Sequence, residues 1–595
     1  MNDETGAVER PVNAGQFEMG WGSDVIAHML REFGIEHIAL NPGASYRGFH
    51  DSLVNYLGNR DPAMLIAMHE EHAVAIAHGY AKVTDRPMAV ALHSNVGLMH
   101  ATMAIFNAWC DRAPMLIVGA TGHVDAAQRR PWIEWIHTAK DQGALIRNYV
   151  KWDDQPASPR AAVESMLRAW QITRAMPRGP VYVCLDVGLQ EMALDEPPEI
   201  PDIARFAPGA APAPAPETLT RAAGLLANAE RPLILAGRVS RDPQGWADRV
   251  RLAELLNARV LSDLKAGAAF PTDHPLHPAP PFRRPDRQVC ALIAQADVIL
   301  GLDWIDPAGT FKMATGHTDS AATFINCSMD SYLHNGWSMD HHILPAVDLV
   351  LPCPPDTAVP LLVDAIETRG GAIKSAWAPA DMVEDAPAGA DAGLDYRDIA
   401  DALGAALGER RATITGLPIG WPGSALHFRH PLDFLGSDGG AGIGAGPGIA
   451  VGAALALRGG ERIPVAILGD GDTLMGISAL WTAAKYRIAL LVIVANNRSY
   501  FNDELHQERV AITRGRPVEN RWIGQRLEDP VPDIAALARG FGWQSEAAVT
   551  TRAALSAALD AAIKTVAAGS CALVDVHITR GYAEPAVDPG GKSKD

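Results

Sequence analysis

The stretch ILGDGDTLMGISALWTAAKYRIALLVIVANNRSY, Ile467–Tyr500, holds two apolar runs that each stop at a polar break. The first run ends in Gly469-Asp470-Gly471 and the second in Asn496-Asn497. Between them, ISALWTAAKY has the apolar spacing of a helix. A strand–helix–strand unit of this kind makes a parallel pair. Both breaks then lie beyond the carboxyl ends of neighbouring strands, where open α/β sheets bind ligands. Asp470 offers a carboxylate and Asn497 an amide oxygen, with the Ser499 carbonyl close by. These are hard donors of the kind Mg²⁺ takes, and Mg²⁺ usually shares its shell with phosphates. The helix beginning near Thr473 is expected to turn its N–H groups toward a diphosphate. Singly, Gly-Asp-Gly is an ordinary turn and Asn-Asn an ordinary strand end. Their order and spacing around one helix make the pair specific.

The same alternation runs through all 595 residues. HIALN, AMLIAM, MAVALHS, MLIVGA and VYVCLDV read as buried strands in the first third. PLILAG, DVILGLD and ATFINCS follow in the second, and VAILGD, LLVIVAN and ALVDVHI in the last. Helical patterns such as AVAIAHGYAKV separate them. Continuous apolar strands between helices imply parallel sheets covered on both faces. Two Pro- and Ala-rich stretches, Pro208–Pro216 and Ala376–Gly393, read as linkers. The expected architecture is three consecutive Rossmann-like or flavodoxin-like α/β domains at 17–190, 217–370 and 394–585.

Net charge is −18, and no basic face suits a nucleic acid. Phosphate binding must then come from backbone N–H groups, helix ends or a metal. Six scattered cysteines show no metal-ligand or redox spacing, which fits a reducing compartment. The polar first twenty residues contain no secretory apolar segment, and Ile488–Ala495 is too short to span a bilayer. A soluble cytoplasmic protein with no membrane partner is expected.

Gly-Asp-Gly, twenty-four residues, then Asn-Asn resembles the thiamine diphosphate signature of the pyruvate decarboxylase and acetolactate synthase superfamily. ISALWTAAKYRIALLVIVANNRSY is most similar to the benzoylformate decarboxylase branch. The resemblance implies that Asp470, Asn497 and the Ser499 carbonyl hold Mg²⁺. It also implies that Gly469, Gly471, Asp472, Thr473 and Tyr500 line the cofactor. Asp472 departs from the Ser of many relatives, so only its backbone N–H suits a phosphate. SDGGAGIGAGPGIAVGAALAL, Ser437–Leu457, resembles the segment that bends the cofactor, with Ile443 as wedge and the Ala441 carbonyl accepting from the aminopyrimidine. For Ile443 the plainer reading is core packing.

AMHEEHAVAIAHGYAKVTDRPMAVALHS, Ala67–Ser94, places two acids where a helix N-terminus favours them. It resembles the family pattern of a Glu nine residues before Gly-Tyr-Ala, which selects Glu70 and leaves Glu71 as a surface acid. The resemblance gives Glu70 the proton shared with the pyrimidine ring nitrogen. His93, in a Leu-His-Ser segment, matches a proton-relay histidine, and His100 is expected to pack or cap. NPGASYRGFHDSL, Asn41–Leu53, resembles the substrate-carboxylate loop, but Ala44 stands where the relative has Ser, and Ser45 follows. The relative's second histidine is replaced near Asp303 and Trp304. His274 and His277 do not match it, and His427, His430 and His506 read as surface residues. Asn502–Trp522 reads as a loop over the site or as plain surface. The middle third carries no fingerprint deciding between FAD, a nucleotide and neither.

The resemblance further implies a site shared between subunits of a homodimer or homotetramer. The expected reaction is nonoxidative decarboxylation of a small 2-oxo acid to an aldehyde. Alternatives are an acetolactate synthase-like carboligase, a 2-hydroxyacyl-CoA lyase, a thiamine diphosphate-binding homologue without turnover, and a nucleotide-dependent oxidoreductase.

Overall fold

The computed structural model describes residues 9–13, 16–332, 343–370, 374–377 and 393–581. Three separate sheets are present, and every strand pairing within them is parallel. The first sheet contains β1 (His37–Leu40), β2 (Ala63–Ile66), β3 (Met88–Leu92), β4 (Met115–Thr121), β5 (Asp153–Asp154) and β6 (Pro180–Asp186). Its order is β2-β1-β3-β4-β6-β5. The second contains β7 (Pro232–Ala236), β8 (Arg259–Ser262), β9 (Val298–Leu302), β10 (Thr323–Cys327) and β11 (Leu349–Leu351), in the order β11-β10-β9-β7-β8. The third contains β12 (Ala412–Gly416), β13 (Ile463–Gly469), β14 (Leu491–Asn496) and β15 (Ala572–His577), in sequence order.

The expected apolar runs all became strands, and β3, β4, β7 and β9 are buried along their whole length. Four strands had no such run. β5 and β11 are too short, β8 opens on Arg259, and β12 alternates with threonine. The stretch before Pro216, where the first linker was expected, has neither helix nor strand from 207 to 215. Most of the second expected linker, residues 378–392, and the tail beyond 581 lie outside the described residues. Among the described residues no helix is long and apolar enough to cross a membrane.

Two topological facts position the site. In the first sheet β1 lies between β2 and β3, so the chain leaves β1 and β3 on either side of a switch point, where a crevice opens. In the third sheet β13 and β14 are direct neighbours, with Gly469 level with Ala495.

The first and third sheets are joined by two helices, α1 (Glu70–Thr84) and α3 (Gly446–Ala456); a further helix, α2 (Ser94–Cys110), follows β3. Small residues let the backbones of α1 and α3 touch. A Cβ on Gly79 would lie 1.9 Å from the Ile449 carbonyl oxygen, and one on Gly452 would lie 1.8 Å from that of Ile76. One apolar core therefore runs from Val74 and Tyr80 through Val451 to Leu480 and Tyr486. The third domain also covers the edge strand β2: Ile66 N–H donates to the Tyr486 hydroxyl at 3.0 Å, and Thr482 Oγ1 donates to the Ile66 carbonyl at 2.9 Å. Edge backbone groups so satisfied are no longer open to another strand.

Gly452→Val is expected to lower the urea midpoint by the equivalent of about 1–3 kcal/mol or more, because backbone cannot retreat from the new side chain. Gly404, whose Cβ would meet nothing within 4 Å, is the control. Gly404→Ala should stabilise by about 0.5–1 kcal/mol. Equal midpoints for the two variants would contradict the close helix contact.

Candidate functional site

Asp470 begins the short helix α4 (Asp470–Gly476) at the end of β13, and Asn497 follows the last residue of β14. Both are buried, as is Ser499. The Ser499 N–H donates to Asp470 Oδ2 at 3.1 Å and to Asn497 Oδ1 at 2.8 Å. The two side-chain oxygens thus converge on one peptide group, and Gly471 N–H binds the other Asp470 oxygen at 3.0 Å. Burial pushes the Asp470 carboxyl up to about 6, against the opposing hydrogen bonds from Gly471 and Ser499. A buried carboxylate beside an amide oxygen is an all-oxygen donor set that a hard cation would complete.

The Ser499 loop is fixed from behind. Its hydroxyl donates to Glu504 at 2.6 Å, and Glu504 accepts from Arg526 at 3.1 Å. Glu504 belongs to α5 (Phe501–Thr513), a helix where a loop was expected. The charged sequence hid it, because only Phe501, Glu504 and Ala511 turn inward.

A cavity of about 750 Å³ opens beside these residues. Gly469, Asp470, Gly471, Asp472, Asn497, Ser499 and Tyr500 line one side, with Ala441 and Ile443 on another. Ile443 is 38% exposed, so it is not a core residue. Ala441 has a left-handed φ of 57°, a conformation unusual for a residue with a Cβ. Two acids hold this glycine-rich segment. Asp438 accepts from Ala441 N–H at 3.0 Å, and Asp472 Oδ1 accepts from Gly444 N–H at 2.6 Å and Gly446 N–H at 3.3 Å. The Asp472 carboxylate is therefore spent on the glycine segment. Thr473 is buried and does not line the cavity; its hydroxyl donates to the Gly469 carbonyl at 2.8 Å.

The second group of residues surrounds the switch point of the first sheet. His93, at the end of β3, places Nδ1 2.9 Å from Ser45 Oγ in the loop after β1. Gly43 lies under the His93 ring, where a Cβ would come within 2.1 Å. His137 meets the same ring edge-on, with centroids 4.9 Å apart. Burial, then the neighbouring His137, lower the His93 pKa, while Glu70 opposes them. The balance favours the neutral ring. Glu70, first residue of α1, is buried, and its Oε2 lies 3.0 Å from His100 Nδ1. His100 in turn stacks on His69, with centroids 4.9 Å apart.

Several expectations change. His100 packs on His69 and, beyond what was expected, also bonds Glu70. Glu71 is not a surface acid: it is half-buried near Gly444 and Asp472, and burial raises its pKa. Asp303 is buried in an ion pair with Arg112 at 2.7 Å and accepts from Ser328 at 2.6 Å, and Trp304 is core. His277 is buried against Ser262, whereas His427 and His506 are exposed as expected, and with His430 they are absent from the cavity lining. Residues missed were His100, His137 and Asp438. His93 precedes α2 with extended backbone while His100 lies inside the helix, so their spacing carried no signal of a shared face. His137 reaches His93 through a long irregular segment that leaves no local pattern.

Family models for the thiamine pyrophosphate enzymes match three parts of this chain. They are the N-terminal TPP binding domain at residues 20–146, the central domain at 219–331 and the C-terminal TPP binding domain at 415–576. The chain belongs to the thiamine diphosphate-dependent enzymes. It is 25% identical over 551 residues to a benzoylformate decarboxylase of Pseudomonas aeruginosa, covering 88% of this chain and 93% of that one. It is 24% identical over 597 residues to a probable acetolactate synthase large subunit of Methanocaldococcus jannaschii, covering 96% and 94%. The thiamine diphosphate-dependent 4-hydroxybenzoylformate decarboxylase of Rhodococcus jostii RHA1 has the same fold, with a TM-score of 0.75 at 22% identity over 95% of this chain and 100% of that chain.

The Asp470 shift gives a signed expectation. Its pKa is raised in the fold from 3.8 to about 6. Its contribution to stability is therefore present below about pH 4 and lost as pH rises to 6. Asp470→Asn should stabilise the cofactor-free protein by roughly 2–3 kcal/mol above pH 6 and by little at pH 4. Urea unfolding across that range measures the gap; a gap independent of pH would contradict the burial of this charge.

Proposed function

We propose that this chain is a thiamine diphosphate- and Mg²⁺-dependent lyase that cleaves a C–C bond next to a carbonyl. The reaction that fits best is nonoxidative decarboxylation of a small 2-oxo acid to an aldehyde. The observation that carries this reading is the convergence of Asp470 and Asn497 oxygens on the Ser499 N–H, in the lining of a cavity of about 750 Å³. In this reading Asp470, Asn497 and the Ser499 carbonyl hold Mg²⁺. Gly469, Gly471 and the Asp472 N–H face the diphosphate beside Tyr500, while Thr473 stiffens the turn from behind. Ile443, exposed in the cavity, supports the ring system, and the Ala441 carbonyl accepts from its amine. Thiamine diphosphate, when bound, supplies the carbon nucleophile and electron sink. Glu70 holds a proton against its pyrimidine nitrogen. Neutral His93, oriented by Ser45, takes or returns a proton at the substrate oxygen.

Glu70 and His93 do not line the cavity that holds Asp470. Exposed Met68 and Met99 lie next in sequence to His69 and His100, and exposed Ile419, Ile443 and Met475 lie in the part of the chain that carries the cavity. Two such apolar faces suit a homodimer, or a pair of such dimers, in which the Glu70 face of one subunit covers the cavity of the other. Relatives named as acetolactate synthases support carboligation as a second reading. That reading is favoured by Asp303 and Trp304, which are committed to an ion pair and the core where a second relay histidine was sought.

The test is CO₂ and aldehyde detection over a panel of 2-oxo acids with thiamine diphosphate and Mg²⁺, with and without an acceptor aldehyde. Glu70→Ala should keep cofactor binding and lose about 10²-fold or more of turnover. Full activity in that variant would refute its role. Mixing inactive Glu70→Ala with inactive Asp470→Ala, after subunit exchange, should restore about one quarter of the activity, because half the dimers then hold one intact site. No recovery would place both residues in a site within one subunit.

A further inference from the structure

The cavity beside Asp470 has a wall to which the function proposed above gives no role. The middle domain builds it: Lys265, Arg283, Arg284 and Ile305 line the space together with Leu417 and Ile419 of the third domain. Basic residues gathered here run against the net charge of −18. Lys265 follows β8, and Arg283 follows an isolated parallel bridge between Phe282 and Asp263. The Leu264 N–H donates to the Phe282 carbonyl at 3.0 Å, so the two basic loops lie side by side. Both are tied to the third domain. Arg283 Nη2 donates to the Leu417 carbonyl at 3.0 Å, and the Ser437 N–H donates to the Lys265 carbonyl at 2.9 Å.

These anchor points separate the wall from the turns assigned to the cation and diphosphate. Leu417 follows β12, which flanks β13 on the side away from β14. Ser437 opens the glycine-rich segment. Neither belongs to the Gly469–Gly471 turn or to the Asn497–Tyr500 turn.

The acids that line the cavity are engaged elsewhere. Asp111 pairs with Lys82 and with His78 at 2.8 Å. Asp438 and Asp472 accept from the glycine-rich segment. Asp503 lies on α5, past Tyr500 and beside the proposed cation turn. Asp263, outside the lining, gives Oδ1 to the N–H groups of Lys265 at 3.0 Å and Ala266 at 2.9 Å, and burial raises its pKa. Arg238, the remaining cation of the lining, is committed to Asp303 at 3.3 Å and Asp330 at 2.9 Å. Among the described residues, Lys265 Nζ and the Arg284 guanidinium make no hydrogen bond or ion pair. Cations without a counter-ion on the wall of a cavity favour an anionic ligand. This wall is part of the cavity lining, so a partner subunit that closes the mouth leaves it inside the enclosed space.

We propose that Lys265 and Arg284, with Arg283 fixed beside them, bind a second carboxylate at the far end of the substrate, which makes that substrate a dicarboxylic 2-oxo acid. Guanidinium and ammonium groups donate charge-assisted hydrogen bonds to the far carboxylate, and the carboxylate next to the carbonyl is the one that leaves as CO₂. Ile305 and Ile419 supply apolar surface for the methylene chain between them. This inference rests on the decarboxylation proposed above and narrows its substrate class.

The test compares CO₂ release from 2-oxoglutarate and 2-oxoadipate with release from the analogues whose far carboxylate is an amide. In wild type loaded with thiamine diphosphate and Mg²⁺, at least one diacid should exceed its amide in kcat/KM by about tenfold or more. In the double variant Lys265→Gln, Arg284→Gln that ratio should fall at least about tenfold. A ratio is insensitive to a general loss of folded enzyme. Cofactor Kd, read from quenching of tryptophan fluorescence, should stay at its wild-type value in the variant. Failure to turn over either diacid, a ratio near one in wild type, or a ratio that survives in the variant overturns the proposal. A weakened cofactor Kd with an unchanged ratio also overturns it, and gives these cations to the diphosphate instead. If wild type takes up no thiamine diphosphate, the function proposed above fails and this substrate class with it. Cofactor uptake and turnover of the amides without a diacid advantage refutes the substrate class alone.

Discussion

One peptide N–H, that of Ser499, is shared between a carboxylate and an amide oxygen at two adjacent strand ends. This arrangement is costly in isolation. Asp470 is buried, and its carboxyl is pushed up to about 6. Two backbone N–H groups soften the charge but do not cancel it. The fold tolerates the cost because the strands on either side are fully packed and the loop is tied back through Glu504 and Arg526. A buried carboxylate and amide oxygen held by a rigid frame are pre-organised donors, which is what the proposed cation-anchored cofactor would need.

The rest of the molecule keeps that frame in place and brings the second half of the site into being. The crossing of α1 and α3 at Gly79 and Gly452 welds the first domain to the third. Because Glu70 and Glu71 open α1, the same contact fixes where those acids point. Glu71 faces the glycine-rich segment of its own chain, while Glu70 turns toward α2 and His100. The switch point between β1 and β3 supplies Ser45 and His93 from two loops that the sheet order throws together. The middle domain contributes a buried ion pair, Arg112–Asp303, across to the first.

Much of this was legible in the chain itself. Three parallel sheets followed from apolar runs alternating with helical patterns, and the pairing of Asp470 with Asn497 followed from spacing around one helix. Local spacing reports local geometry. It could not say which face of α1 carries Glu70, so Glu71 was misread as exposed. The charged helix Phe501–Thr513 was invisible because three inward residues make too faint a period. His137 acts through a contact made at long range, Asp438 through a turn bond to Ala441 that apolar periodicity does not register, and β8 and β12 begin or alternate with polar residues. His100 is the instructive case: no spacing in the chain points to Glu70, and only the tertiary packing of α2 on α1 shows that the two meet.

The central claim is that Asp470 and Asn497 anchor a cation which in turn carries the diphosphate. Paramagnetic broadening tests it most directly. With Mn²⁺ in place of Mg²⁺, the ³¹P signals of protein-bound thiamine diphosphate should broaden beyond detection in wild type. In Asp470→Asn, at concentrations that still load the cofactor, they should stay sharp. Sharp ³¹P signals in wild type with Mn²⁺ bound, or equal broadening in both proteins, would contradict the account.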